Sequence, residues 1–379
     1  MKKIKTVKFN NKKQKLIFVH FYNSYNGSPN ILHTIIDSII DQQSILITNN
    51  TKGFLSNLRI PTITFYFTLS DSKVLTLIKY FFGQIKIFFL VLKNCKRGDI
   101  LYINTTIPMF ASFAGKIKGA TILFHLHEDR SSLNFIHRTL SKFRIYFCDV
   151  EIFVSKYLLE KEHIKGKKSY VLHNVVPKLF YAEAQKHKIN YETNDSFVVL
   201  MICSLKKYKG VFEFLKIAKK LISFNDIKFS LLVSENSSEI DKFFYGIQLP
   251  QNVVIYEKTN DTIQFYKNAS LLLNLSRPDE WIESFGLTIL EGMTFGLPCI
   301  VPPVGGPVEL IEDGINGYKI SSYEIDNISD KILDIYYDKN LFALMSKNNK
   351  IKAAKYHFNI FQTKINQIIK ETLQESKMS

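Results

Sequence analysis

The stretch from Arg277 to Glu309, RPDEWIESFGLTILEGMTFGLPCIVPPVGGPVE, constrains this chain more than any other. An apolar strand signal, LLLNLS at Leu271 to Ser276, runs into it, and the next, CIVPP, begins at Cys299. Between them the spacing predicts a short helix. Ser284 is its expected N-cap, Leu287, Leu290 and Met293 its apolar stripe, and Gly296 followed by Pro298 its end. The helix N-terminus then opens where the strand ends. Backbone amides and the positive end of the helix dipole at such a place suit a phosphate or diphosphate, and a Ser-Phe-Gly turn lets the main chain come close. Glu283 and Glu291 bracket that anion site.

Eight residues of helix would rise about 12 Å, and helical side chains lean back toward the N-terminus. Two carboxylates beside an anion site are not suited to phosphate, but they suit hydroxyl groups on either side of it. Ribose at one end of a diphosphate and hexose at the other describe a nucleotide sugar. A second glycine turn, Gly305-Gly306 before Pro307, follows the next strand and is expected to line the same crevice.

The pattern Glu283-x7-Glu291, set in ESFGLTILEGMTFGLPCI and followed by GGPVELIEDGINGY, resembles the retaining glycosyltransferases of family 4, of the GT-B fold. Two glutamates at this interval alone are common in helices, so the specificity lies in the embedding. The resemblance implies an α/β chain of two Rossmann-like doubly wound domains facing across a cleft, with a C-terminal helix crossing back to the first domain. It also implies transfer of a hexosyl group from a nucleoside-diphosphate sugar to an acceptor hydroxyl, with retention. Glu283 would hold the donor sugar and Glu291 the ribose, while Ser284, Phe285, Gly286 and Leu287 form the donor-binding turn.

A length of 379 residues accommodates two domains, and 46% hydrophobic with 22% charged residues is a globular composition. Cys95, Cys148, Cys203 and Cys299 follow no metal-binding or C-x-x-C spacing and read as free thiols of a reducing compartment. The basic N-terminus leads into a short apolar run without a small-residue cleavage site, unlike a signal peptide. Charge is uneven. Residues 1–175 hold 26 Lys and Arg against 10 Asp and Glu, and the rest hold 24 of each, so the whole net charge of +16 lies in the first half. That half suits an anionic membrane surface or a nucleic acid. No helix-turn-helix, zinc or RNA-binding signature supports the nucleic acid.

In chain order, LIFVHF leads to a loop with Gly27-Ser28 and a helix from about Pro29, the first turn of a doubly wound sheet. The family resembled has a Gly-Gly pair here, so the resemblance makes Gly27 and Ser28 an acceptor-side loop. Strands are expected at 45–48 and 62–67. The apolar run 74–92, broken by Lys79, Gln84 and Lys86, reads as a packed helix whose Phe- and Lys-rich composition also fits a membrane interface. His125 and His127 end the strand of TILFHLHEDR, and alternation puts both on one face. The resemblance makes His127 an active-site residue contacting sugar or acceptor. Domain 1 is expected over 1–176 and a polar linker over 177–196.

A second domain is expected over 197–350, opening with the strand FVVLMIC, a basic loop and an amphipathic helix, and a helical segment over 351–379. By the resemblance, Lys209 of the loop pairs with the donor diphosphate. Ser204 holds the position of the family's arginine, with Lys206 or Lys207 as substitutes. No D-x-D occurs, so no metal and no cofactor are expected, and Lys209 and the helix N-terminus would stabilise the leaving diphosphate. The catalytic set is thus His127, Lys209 and Glu283. The expected partners are a nucleotide sugar, a glycan or lipid-linked acceptor and an anionic membrane surface, with the protein cytoplasmic and peripheral on the inner face of the cell membrane. A sugar-nucleotide epimerase of related fold would use the same donor site.

Overall fold

The computed structural model describes residues 14–40, 42–130, 135–187, 196–259 and 261–376. The chain divides into two compact units, residues 1–173 with 359–379 and residues 174–358. Unit 1 is built on seven strands: β1 Leu16–Val19, β2 Ser44–Asn49, β3 Thr62–Phe65, β4 Ile100–Asn104, β5 Thr121–Leu126, β6 Val150–Phe153 and β7 Lys168–Val171. They form one parallel sheet in the order β3-β2-β1-β4-β5-β6-β7. The central strands read as unbroken apolar runs because helices cover both faces of a parallel sheet, and Leu16, Ile17, Phe18 and Val19 are wholly buried.

Unit 2 repeats the plan with β8 Phe197–Cys203, β9 Ile227–Val233, β10 Val253–Tyr256, β11 Leu271–Leu273, β12 Cys299–Val301 and β13 Gly317–Lys319. Their order is β10-β9-β8-β11-β12-β13, again all parallel. The strand order reverses beside β1 and β4 in unit 1, and beside β8 and β11 in unit 2. At such a reversal the loops leave toward opposite faces and open a crevice at the carboxyl ends of the strands.

Several boundaries differ from the sequence reading. The expected linker contains a helix, Lys178–Lys186, whose Phe180 packs edge-on against Tyr266 and Phe295 of unit 2. Its polar residues face outward, so composition alone concealed it. Strand β7 ends at Val171, and the three residues of β13 are too few to show a period. All four cysteines are free, with Cys203 partly exposed and the other three buried.

The last helix, Phe358–Glu375, belongs to unit 1 for nearly its whole length. Asn366 donates to the carbonyl of Ser38 at 2.8 Å, Glu371 pairs with Lys168 at 3.3 Å, and Ser376 accepts from Gln14 at 2.8 Å. Phe361, Ile365, Ile368 and Ile369 are buried, at the i, i+4, i+7, i+8 spacing of one helix face.

The helix Lys73–Asn94 is also one-sided in an unusual way. Tyr80, Gln84, Ile87 and Val91 form its buried stripe, with Tyr80 and Gln84 both donating to the carbonyl of Ile107. Its other face exposes Val74, Leu77, Ile78, Phe81, Phe82 and Phe89. By length and composition this helix would suffice to cross a membrane, but 28% of its most apolar window is buried inside unit 1.

The packing of the last helix sets a test. Ile365→Ala removes a wholly buried side chain and should cost about 2–5 kcal/mol, lowering the thermal unfolding midpoint measured by circular dichroism. The exposed Ile360→Ala should leave that midpoint in place.

Candidate active site

In unit 2 the two loops at the reversal are held against each other. The loop after β8 passes through Lys207–Lys209 as one 3-10 turn and reaches Gly210, which caps the helix Val211–Lys220 with φ +77°. A side chain there is excluded twice. The φ is left-handed, and a Cβ would lie 2.1 Å from the carbonyl oxygen of Leu275. The amide of Arg277 donates to the carbonyl of Tyr208 at 2.8 Å, closing the loop after β11 onto the loop after β8.

That closure brings Lys209 to Glu283. The Lys209 ammonium is ion-paired with Glu283 Oε1, and Ser276 Oγ donates to the same oxygen at 2.8 Å. Burial alone would raise the Glu283 carboxyl, but the Lys209 charge and the hydrogen bonds from Lys209 and Ser276 outweigh it and hold the carboxyl below its ordinary range. Tyr208 and Trp281 stack at 5.0 Å and 15°, and the Lys209 ammonium lies 4.8 Å from the Trp281 ring. Arg277 pairs with Glu213 at 2.8 Å and Glu280 at 2.6 Å. Ser204 sits half-buried at the start of the loop, while Lys206 and Lys207 are exposed.

The turn after Glu283 departs from expectation. The helix begins at Leu287 and runs to Phe295, and its N-cap is Gly286 at φ +94° rather than Ser284. Glu283 therefore lies outside the helix, and the rise along a helix does not measure its separation from Glu291. Gly306 donates to the carbonyl of Glu283 at 2.8 Å, and a Cβ on Gly306 would stand 2.4 Å from Phe285 Cα. The Gly305-Gly306 turn thus buttresses the Glu283 loop. Phe285 is buried, with its ring 5.9 Å from Tyr356, which leaves only its backbone for a ligand. Ile289 and Leu290 donate to the carbonyl of Gly286, which leaves the amides of Leu287 and Thr288, among the described residues, without a backbone acceptor.

Glu291 stands in a second set. It accepts from the hydroxyl of Tyr266 at 2.6 Å, and burial pushes its carboxyl up to about 7 against an ordinary 4.5. Tyr266 is fully buried and stacked at 9° on Phe295.

In unit 1 the reversal gathers neutral groups instead. Asn104 at the end of β4 touches His20 after β1, the carbonyl of Ser28 and His127 after β5, at 3.0, 3.1 and 2.8 Å. His125 and His127 stand side by side with ring centroids 4.1 Å apart, and Tyr102 meets His125 Nδ1 at 2.9 Å. Burial pushes His20 down to about 4, His125 to about 3 and His127 well below its ordinary value, and it raises Glu128 to about 7. Thr105 holds φ +70°, a costly conformation for a β-branched residue, just past Asn104. Gly27 is exposed and opens the helix Gly27–Ser38, so Gly27 and Ser28 lie in its first turn rather than in a loop before it.

Sequence reasoning missed Asn104, His20, Tyr208, Ser276, Trp281, Arg277 and Tyr266. Asn104 and His20 each end an apolar strand run, the position from which side chains enter a crevice. Tyr208 and Trp281 flank Lys209 and Glu283 in sequence, but nothing local told that their rings stack.

Comparison with known proteins bears on this geometry. Residues 183–352 match the family described as Glycosyl transferases group 1. The chain is 26% identical over 269 residues to N-acetyl-alpha-D-glucosaminyl L-malate synthase of Bacillus anthracis, covering 66% of this chain and 68% of that one. It is 25% identical over 201 residues to the capsular polysaccharide biosynthesis glycosyltransferase CapM of Staphylococcus aureus, covering 52% of this chain and half of CapM. Among solved structures, Anabaena HepE in complex with UDP and glucose superposes with a TM-score of 0.75 at 20% identity, over 96% of this chain and all of that one. The two parallel-sheet units are the Rossmann-like domains of a GT-B fold. The family match lies within unit 2.

The raised Glu291 carboxyl gives a signed prediction. Between pH 4.5 and about 7 the folded chain keeps a proton that the unfolded chain has released, so this group lowers stability as pH rises through that window. Gln keeps an acceptor for Tyr266 and cannot ionise. The thermal midpoint of Glu291→Gln should match the parent near pH 4.5 and exceed it by about 2–4 °C above neutrality.

Proposed function

We propose that this protein transfers a hexosyl group, with retention of anomeric configuration, from a nucleoside-diphosphate sugar to a hydroxyl of a glycan or lipid-linked glycan acceptor. The observation that carries this reading is the Lys209–Glu283 pair, set where the strand order of unit 2 reverses and just ahead of the Leu287–Phe295 helix N-terminus. A diphosphate seated there meets the Lys209 cation and the amides of Leu287 and Thr288 where negative charge develops as the sugar leaves, which is the kind of preorganised stabilisation that lowers a transition state. No D-x-D is present to supply a metal clamp, and in this reading Lys209 and the helix end do that work. Glu283 holds hexose hydroxyls, Glu291 holds ribose hydroxyls, and His127 with the Gly27-Ser28 loop serves the sugar or acceptor side. HepE is described in complex with UDP and with UDP-glucose, so uridine diphosphate sugars are the first donors to try.

The test uses both glutamates. Glu283→Gln keeps size and removes charge next to the reacting carbon, so kcat should fall about 100-fold, more than donor affinity. Glu291→Gln loses contacts shared by ground and transition states, so donor KM should rise while kcat changes less. Free UDP separates the two ends by calorimetry. It should weaken in Glu291→Gln, and it should hold or tighten in Glu283→Gln, because that change releases Lys209 from its partner. The reverse pattern overturns the assignment, an epimer formed from donor alone overturns transfer, and loss of activity in excess chelator overturns metal independence.

We further propose that unit 1 docks on the cytoplasmic face of a membrane. The net charge of +16 confined to the first half and the exposed apolar face of the Lys73–Asn94 helix, with Lys73, Lys86 and Lys93 exposed along it, support this. Each basic residue near an anionic surface contributes about 1 kcal/mol before screening. Anionic vesicles should bind the protein at low salt and release much of it as salt rises, and equal binding to neutral vesicles would remove the electrostatic part.

A further inference from the structure

The carboxamide of Asn104 is wholly buried, and its contacts settle which of its atoms is which. The carbonyl of Ser28 can only accept, so the atom 3.1 Å from it must be the amide nitrogen. The same nitrogen stands 3.0 Å from His20 Nδ1, which must therefore accept. His20 then carries its proton on Nε2 and donates it to the carbonyl of Tyr22 at 3.0 Å, a second group that can only accept. The remaining amide atom, Oδ1, is an acceptor 2.8 Å from His127 Nε2. His127 Nε2 must carry a hydrogen, and in the neutral ring the lone pair is on Nδ1. Among the described residues no hydrogen bond or ion pair engages that nitrogen.

We propose that Asn104 is a positioning residue that locks His127 as its Nε2–H tautomer and so presents Nδ1 as an acceptor for a substrate hydroxyl. This rests on the reading that His127 serves the sugar or acceptor side. Two features of the surroundings agree with a neutral ring. His127 is half-buried, and the groups around it are His125, at 4.1 Å between ring centroids, and His20 across Asn104, both of which oppose a positive charge. Glu128 follows in the chain, and burial favours its neutral form. A hydroxyl donating to Nδ1 is thereby held with its oxygen lone pairs free, as a sugar or acceptor hydroxyl being oriented for reaction requires.

The test reads the tautomer directly in the full-length protein. Nitrogen-15 shifts of the His127 ring, assigned by their loss in His127→Gln, should show Nε2 protonated and Nδ1 unprotonated across about pH 6–8. Addition of a donor sugar nucleotide or an acceptor glycan should move the Nδ1 resonance. In Asn104→Asp the carboxylate still accepts from Nε2 but brings a negative charge, so His127 should hold a second proton on Nδ1 up to a pH higher by about 1–2 units. Where transfer is measurable, the acid limb of its pH profile should move up by the same amount, because activity needs the Nδ1 lone pair. A role in stability alone would lower activity evenly across pH and leave the limb in place. A proton on Nδ1 in the parent protein, an Nδ1 resonance unmoved by every ligand, or an unshifted ring titration in folded Asn104→Asp overturns the proposal. If no sugar is transferred at all, the proposed function fails, while the ring shifts of the parent and Asn104→Asp still decide the tautomer.

Discussion

The ion pair between Lys209 and Glu283 is the contact on which the organisation of unit 2 turns. It joins the loop leaving β8 to the loop leaving β11, the two connections that diverge where the strand order reverses. A partly buried carboxylate is tolerated there because a cation and the Ser276 hydroxyl offset its desolvation. The rest of the neighbourhood keeps those two side chains in place. Gly210 lets the first loop lie on Leu275, Gly306 lets the third turn lie on Phe285, and the stacked Tyr208 and Trp281 rings shield the ammonium from water.

Unit 1 solves the same geometric situation with different chemistry. Its reversal also leaves a crevice at the ends of two strands, but the groups entering it are histidines and an amide rather than a lysine and a carboxylate. Burial keeps the rings neutral, so hydrogen-bond direction rather than charge carries the information. One carboxamide reads two carbonyl-fixed directions and imposes a third. The strained Thr105 lies directly beside this network.

The polar contacts of unit 2 fall into two sets that differ in protonation. Glu283, paired with a lysine, stays ionised, whereas Glu291, hydrogen-bonded to a buried tyrosine, is poised near neutrality. Two glutamates eight positions apart thus differ in protonation through their partners. Tyr266 is held in turn by Phe180 and Phe295, so the Lys178–Lys186 helix bears indirectly on the state of Glu291.

Much of this was legible in the residues themselves. Unbroken apolar runs such as Leu16–Val19 and Phe197–Cys203 announce buried parallel strands, because only a sheet covered on both faces admits them. Glu283, Glu291 and Lys209 could be singled out as candidates because they lie in short, dense motifs whose spacing survives without tertiary context. The helix start was misplaced from Ser284 to Gly286 because a left-handed glycine cap depends on backbone torsion, which composition does not encode. The Lys178–Lys186 helix was hidden because only two of its residues, Phe180 and Ala184, are buried, too few to show a helical stripe. Sequence by itself determined the strand periods, the glycine turns and the charge segregation, since each is a local property of neighbouring residues. Only the tertiary structure decided that Arg277 pairs with Glu213, that Tyr208 stacks on Trp281 and that Asn104 joins His20 to His127, because these contacts span 64, 73, 84 and 23 positions and exist only once parallel strands bring their ends together.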